Sequence, residues 1–346
     1  MIKAITVIGA ITIGCLSYVM AQKPAEPLFK GTAPLDIALS FSIKKVAKTK
    51  ADSVYLPNLL YYKNTKGARD SIKISLKSRG NFRLENCFFP PLWVKINKKE
   101  SKGTLFEGNK KLKLVLPCYN HSESNTLILR EYVCYKLYEV VCAYTFKSRL
   151  VNIDFTEIRG KKTRHYQLKG ILIEDRDKTA KRLGATLIDD VKISPVMLQD
   201  TCALRFSFFQ FMISNTDLSS THQHNTKVFR LRDGTLISIP YDFDMSGVVD
   251  APYAVVSQIN GEQLPTENVR ERFYRGWCQA EGVTQLVRKE FLDKREKILA
   301  TVDALGHELN EKERESIKSY LDEFFEIFKS DRLFSSYIVD GCRHQD

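Results

Sequence analysis

Alternation with a period of two runs through the first half of the chain and stops near residue 175, and that change of texture limits the fold more than any single motif does. Over residues 35–41, 71–77, 92–96, 111–116, 148–155 and 166–173, apolar and β-branched residues alternate with polar ones, which predicts half-buried strands. Residues 125–141 interrupt them, with Leu127, Leu129, Tyr132, Val133, Leu137 and Val141 on a broad apolar face, and predict a largely buried helix. Past residue 176 the texture is helical. Residues 203–213, with Leu204, Phe206, Phe208, Phe209, Phe211 and Met212, are too apolar for a surface helix. Residues 266–334 read as helical, with a break at Leu305-Gly306-His307 and a polar restart at 310–313. Between these segments, 227–231 and 235–239 flank Arg232-Asp233-Gly234, and Asp-Gly between strands predicts a tight hairpin. The expected fold class is α+β and two-lobed, with a β-rich first lobe over 35–175 and a mostly helical second lobe over 176–346.

The first residues bear on where such a chain resides. Met1-Ile2-Lys3 precedes an apolar run over 4–16, and Val19-Met20-Ala21 precedes Gln22, the order of a secretory signal peptide over 1–21. Residues 22–34 read as a linker. The apolar run, interrupted by Thr6, Gly9, Thr12 and Gly14, is short of the ~20 residues of a transmembrane span. Ile13-Gly14-Cys15 resembles the end of a lipobox, although Thr12 is a poor residue there, so a lipoprotein is the alternative. A periplasmic or secreted protein is expected, with no transmembrane span after cleavage.

Of eight cysteines, Cys15 falls in the leader and seven remain. In an oxidising compartment some of them pair, and an odd number leaves at least one free. Cys134 and Cys142 read as buried thiols on the helix. Cys87 and Cys118 both follow strand-like runs and form the candidate pair, two separate buried cysteines being the alternative. The formal net charge of +12 suits an anionic partner, such as nucleotide phosphate, an acidic polymer or a membrane surface; a solvated basic surface is the plainer explanation. No nucleic-acid motif accompanies the charge, so no nucleic-acid partner is expected.

The densest chemistry lies in 213–245: Asn215-Thr216-Asp217, then His224-Asn225, then Tyr241-Asp242-Phe243-Asp244 after the hairpin. An Asp, an Asn and a further Asp in this order are what phosphoryl transfer uses as base and metal ligands. The same chemistry needs a strand Lys for the phosphates and a helix Glu to orient it. Lys113 and Glu131 come in that order, and Glu174-Asp175 ends the last strand of the first lobe as a hinge. The hairpin between Asn225 and Asp242 can fold back and bring both to one point.

Arg79-Gly80-Asn81 followed by Phe89-Pro90, together with 213–217 and 239–244, resembles the CotH-type spore-coat protein kinases and a related group of uncharacterised secreted bacterial proteins, over roughly residues 35–255. The resemblance implies a two-lobed, atypical protein-kinase-like fold that binds ATP and a divalent metal outside the cytoplasm. It further implies Asp217 as catalytic base, Asn225 and Asp242 as ligands of Mg²⁺ or Mn²⁺, and Asp244 as a second ligand or support. Lys113, Glu131, Glu174 and Arg79 are then the nucleotide-side residues. The nearest counterpart of a glycine-rich loop is the short Arg79-Gly80-Asn81 turn, and Pro90-Pro91-Leu92-Trp93 stands where a lysine-rich segment often follows.

Each of these residues also has an ordinary explanation. An isolated Asp in a turn is usually a capping residue. Lys113 alternates with Lys111 and could be a solvated strand residue, and Arg79 could pair with an acidic neighbour. His222 and His224 are spaced as in some zinc sites but lack a third ligand nearby, so His224 is expected to orient its loop and His222 to hold no metal. Two function classes follow. One is an extracytoplasmic kinase-like phosphotransferase or nucleotidyl transferase acting on an unknown protein or cell-envelope acceptor. The other is a catalytically inactive secreted binding protein on the same scaffold. A serine hydrolase is disfavoured, since no Gly-x-Ser-x-Gly elbow is present.

Overall fold

The structure, a computed structural model, describes residues 22–344 apart from 65 and 260. The signal segment read over 1–21 lies outside the described residues. Among them, no helix is long and apolar enough to cross a membrane.

Seven strands close on themselves: β1 (Leu35–Phe41), β2 (Leu56–Lys63), β3 (Arg69–Ser78), β4 (Leu92–Ile96), β5 (Lys111–Val115), β6 (Ser148–Arg159) and β7 (Lys162–Glu174), in the spatial order β1-β2-β3-β4-β5-β7-β6. Neighbours are antiparallel except at the closure, where β1 runs parallel to β6 from Leu35↔Val151 to Phe41↔Glu157. Closure leaves neither β1 nor β6 with a free edge. The period-two pattern has its structural counterpart inside: Leu39, Leu60, Ile74, Val94, Leu112 and Leu172 fill the barrel interior, while their neighbours along each strand face outward.

A second core lies outside the barrel. The helix Glu123–Val141 contributes Tyr132, Val133 and Leu137 to it, the helix Asp200–Met212 contributes Phe208 and Phe209, and the helix Glu311–Lys329 contributes Phe324 and Phe328. Strand β7 serves both cores, Leu172 facing the barrel and Ile171 and Ile173 facing the helices. A strand covered on two sides reads as a continuous apolar run, as Ile171-Leu172-Ile173 does.

The two-lobed, kinase-like fold is therefore corrected: the chain forms a closed seven-stranded barrel accompanied by small sheets and helices. The reason is the β1–β6 pairing, which alternation cannot reveal because it gives the facing of a strand and not its partner. Strand β2 escaped the pattern because Leu56-Pro57-Asn58-Leu59-Leu60 does not alternate cleanly; Pro57 sits near its start, where proline is tolerated. The helical reading of 266–334 is also shortened. The helices there are Glu281–Asp293, Arg295–Asp303, Glu311–Lys329 and the short Asp331–Phe334. Asn310 caps the third of them by accepting from the Glu313 N–H at 2.9 Å.

Two disulfides are present, Cys87–Cys118 and Cys278–Cys342, and Cys134, Cys142 and Cys202 are buried free thiols. Cys87–Cys118 fastens the end of the short helix Phe82–Asn86 to the segment after β5. That short helix carries Arg83, which donates to the Leu116 carbonyl.

Candidate functional site

Strands β8 (Thr186–Ile188), β9 (Thr226–Arg230) and β10 (Leu236–Pro240) form a small sheet in the order β10-β9-β8. The β9–β10 turn is the predicted Asp233-Gly234 hairpin: Gly234 has φ 89°, a left-handed conformation that glycine adopts freely, and the Asp233 carboxylate accepts from the Thr235 N–H at 2.9 Å. At its open end the Tyr241 N–H donates to the Asn225 carbonyl at 3.0 Å, which brings the residues before β9 and after β10 together. Asn225 (φ 47°) and Asp242 (φ 66°) are both left-handed, a strain that clusters at functional positions. The Asp242 N–H donates to the Tyr135 hydroxyl at 3.0 Å, so the helix Glu123–Val141 sets the height of this carboxylate.

Asp217 hangs from the loop after the helix Asp200–Met212. Ser214, also left-handed (φ 49°), donates its hydroxyl to the carbonyls of Val269 and Glu271. The Asn215 side chain accepts from the Asp217 N–H at 3.1 Å, and Arg275 donates to the Thr216 carbonyl. The Asp217 carboxylate is held twice: His224 Nε2 lies 2.8 Å from Oδ1, and Asn225 Nδ2 donates to Oδ2 and to the Asp217 carbonyl, each at 2.9 Å. The hydrogen bond to Asp217 pushes the His224 imidazole above its usual pKa, against a lowering from partial burial. Asp217 and His224 stand in the wall of a cleft of about 1320 Å³, together with Phe82, Arg275 and Trp277.

Two cations border Asp242. Arg79 Nη2 lies 3.9 Å from Asp242 Oδ2. Lys113, on the outward side of β5 and facing Trp93 on β4, is buried with its Nζ 3.5 Å from the centre of the Tyr241 ring. Burial, and then the charge of Arg79, holds the Lys113 ammonium well below its ordinary pKa, although Asp242 works the other way.

Behind Asp242 sits a buried knot. Arg83 Nη1 lies 3.8 Å from Glu131, and its Nε lies 3.9 Å from Asp244, whose carboxylate also accepts from the Tyr253 hydroxyl at 3.2 Å. Burial, then the negative charge of Asp242, pushes Asp244 up to about 6. Glu131 is raised well above the usual carboxylate range by burial and then by Asp244, and its Oε1 has no hydrogen-bond partner. Arg83 stays charged despite its own burial because the Asp244 and Glu131 carboxylates lie beside it.

The residues read from the sequence thus divide. Asp217 is bonded to Asn225, whose carbonyl meets the Tyr241 N–H next to Asp242, and Arg79 and Lys113 neighbour Asp242, with Asp244 behind; of these residues Asp217 alone is in the wall of the cleft. Glu131 is not paired with Lys113, as expected, but with Arg83. Glu174 stands apart: both its oxygens accept from Arg182, with further donation from Thr179 and the Lys147 N–H. The sequence reading gave no site role to Arg83, Tyr241, Tyr135 or Tyr253. The one available signal was that Arg83 follows Arg79 by four residues in a segment the disulfide ties down.

The groups shown beside Asp242 are the Arg79 guanidinium, the Lys113 ammonium and the Tyr135 hydroxyl. Among the described residues, the one trio of His, Cys, Asp or Glu ligand atoms within 4.8 Å of one another is Cys278, Cys342 and His344, and the disulfide occupies two of them. Asp217, Asp242 and Asp244 do not form such a trio among the described residues. Comparison of the chain with protein-family models and with curated protein sequences finds no match.

Proposed function

We propose that the protein is an extracytoplasmic, metal-dependent phosphotransferase that takes a phosphoryl group from ATP and passes it to a hydroxyl held in the Asp217 cleft. The observation that carries this reading is one continuous chain of contacts: Asp217 is held by Asn225, Asn225 is tied through the Tyr241 backbone to Asp242, and Asp242 is bordered by Arg79 and Lys113. That chain supports assigning a base, a cation site and phosphate-binding cations to one neighbourhood.

In this reading Asp217 accepts the proton of the acceptor hydroxyl, and His224 and Asn225 keep its carboxylate aimed. Lys113 and Arg79 pair with phosphate oxygens. An anion arriving there relieves the like-charge repulsion between them, which is a source of affinity that neither residue has alone. Mg²⁺ or Mn²⁺, held by Asp242 and Asn225 with Asp244 as second ligand or support, would supply neutralisation of charge on the transferring group. Glu131 acts at one remove by fixing Arg83. The disulfides Cys87–Cys118 and Cys278–Cys342 support an oxidising compartment.

The test is thermal unfolding of the chain with ATP and Mg²⁺ or Mn²⁺. A ligand at 100 times its Kd adds about 2.7 kcal/mol to the folded state. Asp242→Ala is expected to abolish that shift while leaving the ligand-free melting near wild type. Asp217→Asn is expected to keep the shift and lose phosphate transfer. No shift with either metal in the wild-type protein rejects the reading.

One observation favours a binding protein without turnover: both oxygens of the Asp217 carboxylate are already engaged, by His224 and by Asn225. A wild-type shift with ATP and metal, but no transfer to any acceptor or to water, selects this second reading.

A further inference from the structure

The outward side of β3, β4 and β5 carries a lattice of lysines. Trp93 stands between Lys77 on β3 and Lys113 on β5, directly opposite each, and Lys95 on β4 stands opposite Lys111 on β5. Like charges directly opposite on a sheet face destabilise it. Only part of this charge is answered by the protein. Lys111 pairs with Asp175 at 3.1 Å and Lys73 with Glu100 at 3.0 Å, whereas Lys77 and Lys95 form no ion pair among the described residues. Instead their ammonium groups lie 5.8 and 5.5 Å from the centre of the Tyr55 ring, as Lys111 and Arg79 lie 4.5 and 5.5 Å from the centre of Trp93.

The aromatic rings therefore serve as posts that hold cations in rows. Beyond them the face continues into a depression of about 830 Å³ lined by Tyr55, Pro57, Leu59, Tyr61, Lys73 and Lys95, where Leu59 is 41% exposed. At the other end the rows reach Lys113 and Arg79 beside Asp242. The track thus runs from an open, partly apolar groove to the candidate site.

We propose that this face binds an acidic polysaccharide, a chain bearing one carboxylate per sugar. Charge complementarity selects a polyanion. The strand spacing sets neighbouring rows about 5 Å apart, comparable to the repeat of a polyuronate. The faces of Tyr55 and Trp93 are engaged by ammonium groups, which leaves them ill suited to stack bases as single-stranded nucleic acid requires. Pro57, Leu59 and Tyr61 offer the apolar surface that the C–H faces of sugar rings cover.

Oligogalacturonate titrated into the full chain in the absence of ATP, followed by calorimetry, tests the assignment. Binding is expected to weaken as salt rises, because exposed charges are screened. Lys77→Gln and Lys95→Gln are each expected to weaken it about fivefold, and the double variant more. Melting of these variants should match wild type, since both side chains point away from the barrel core, and Lys289→Gln, on a distant helix, should change nothing. Unchanged affinity in the double variant overturns the proposal. So does equal binding of neutral dextran, or tighter binding of oligo(dT) or of phosphatidylglycerol vesicles that depends on the same lysines. Since Lys77 and Lys95 lie outside the Asp217 and Asp242 contacts, failure here leaves the phosphotransfer reading standing, and the converse holds.

Discussion

Arg83 and Lys113 are equally buried cations, each 8% exposed, and both act on the Tyr241–Asp244 segment, yet their surroundings are opposite. Arg83 has Glu131 and Asp244 within ion-pair range, and its charge is reinforced. Lys113 has an aromatic face at 3.5 Å and Arg79 as a repelling neighbour, and its charge is disfavoured. The knot behind Asp242 sets one guanidinium against two carboxylates, whereas the mouth in front of it sets two cations against one carboxylate. A cation held between buried carboxylates contributes to the folded state; one set beside another cation costs stability until an anion arrives, which is the usual trade at a binding site.

The sharpest way to break this contrast is to remove each cation in turn. Arg83→Met leaves Glu131 and Asp244 buried without a counter-charge and is expected to cost about 3–5 kcal/mol in urea unfolding. Lys113→Met, which replaces a desolvated ammonium by a flexible apolar chain of similar length, is expected to be neutral or stabilising by up to about 1 kcal/mol. The same variant should lose the ATP-dependent shift. Equal costs for the two substitutions would erase the distinction between knot and mouth.

A second, smaller effect concerns pH. Asp244 titrates near 6 in the folded protein against an ordinary 3.8, so the folded state binds its proton more tightly than the unfolded chain does. The stability this supplies is fully present below the unfolded value and is lost as pH rises through about 6, on the order of 2–3 kcal/mol. Asp244→Asn should flatten that slope in denaturation curves collected across the window. A slope that persists in the variant assigns the titration to Glu131 instead.

The smallest expected effect is at His224. Its raised pKa means that the stability from its contact with Asp217 is complete below about 6.5 and fades as pH rises through the folded value. An NMR titration should place the His224 midpoint above the ordinary imidazole value of 6.5, and Asp217→Asn should bring it back down. An unchanged midpoint in the variant would detach His224 from Asp217 and weaken the account of how the base is aimed.

Much of this architecture was legible because it is local. The Asp233-Gly234 turn, the buried helix through Tyr132 and Leu137, and the outward lysines of β3 to β5 follow from turn chemistry and from side-chain periods. The approach of Asn225 to Asp242 was legible for the same reason, since a hairpin of known turn must bring its open ends together. Cys87–Cys118, one of two readings left open, formed because both cysteines flank strands that share a barrel wall.

What stayed hidden depends on partners distant in sequence. Nothing in residues 35–41 announces that they pair with 151–157, so barrel closure, and with it the departure from a two-lobed fold, belongs to the tertiary structure. Glu131 could have met Lys113 or another cation. Its partner became Arg83 because a disulfide-anchored short helix delivers that guanidinium over the Leu116 carbonyl. Cys278–Cys342 likewise joins segments whose proximity is set by how the last helices pack on Phe208 and Phe211. Periodicity and turn residues act within a few positions and are written in the chain, whereas pairing, closure and the identity of a buried counter-charge arise only once the two cores have brought remote residues into contact.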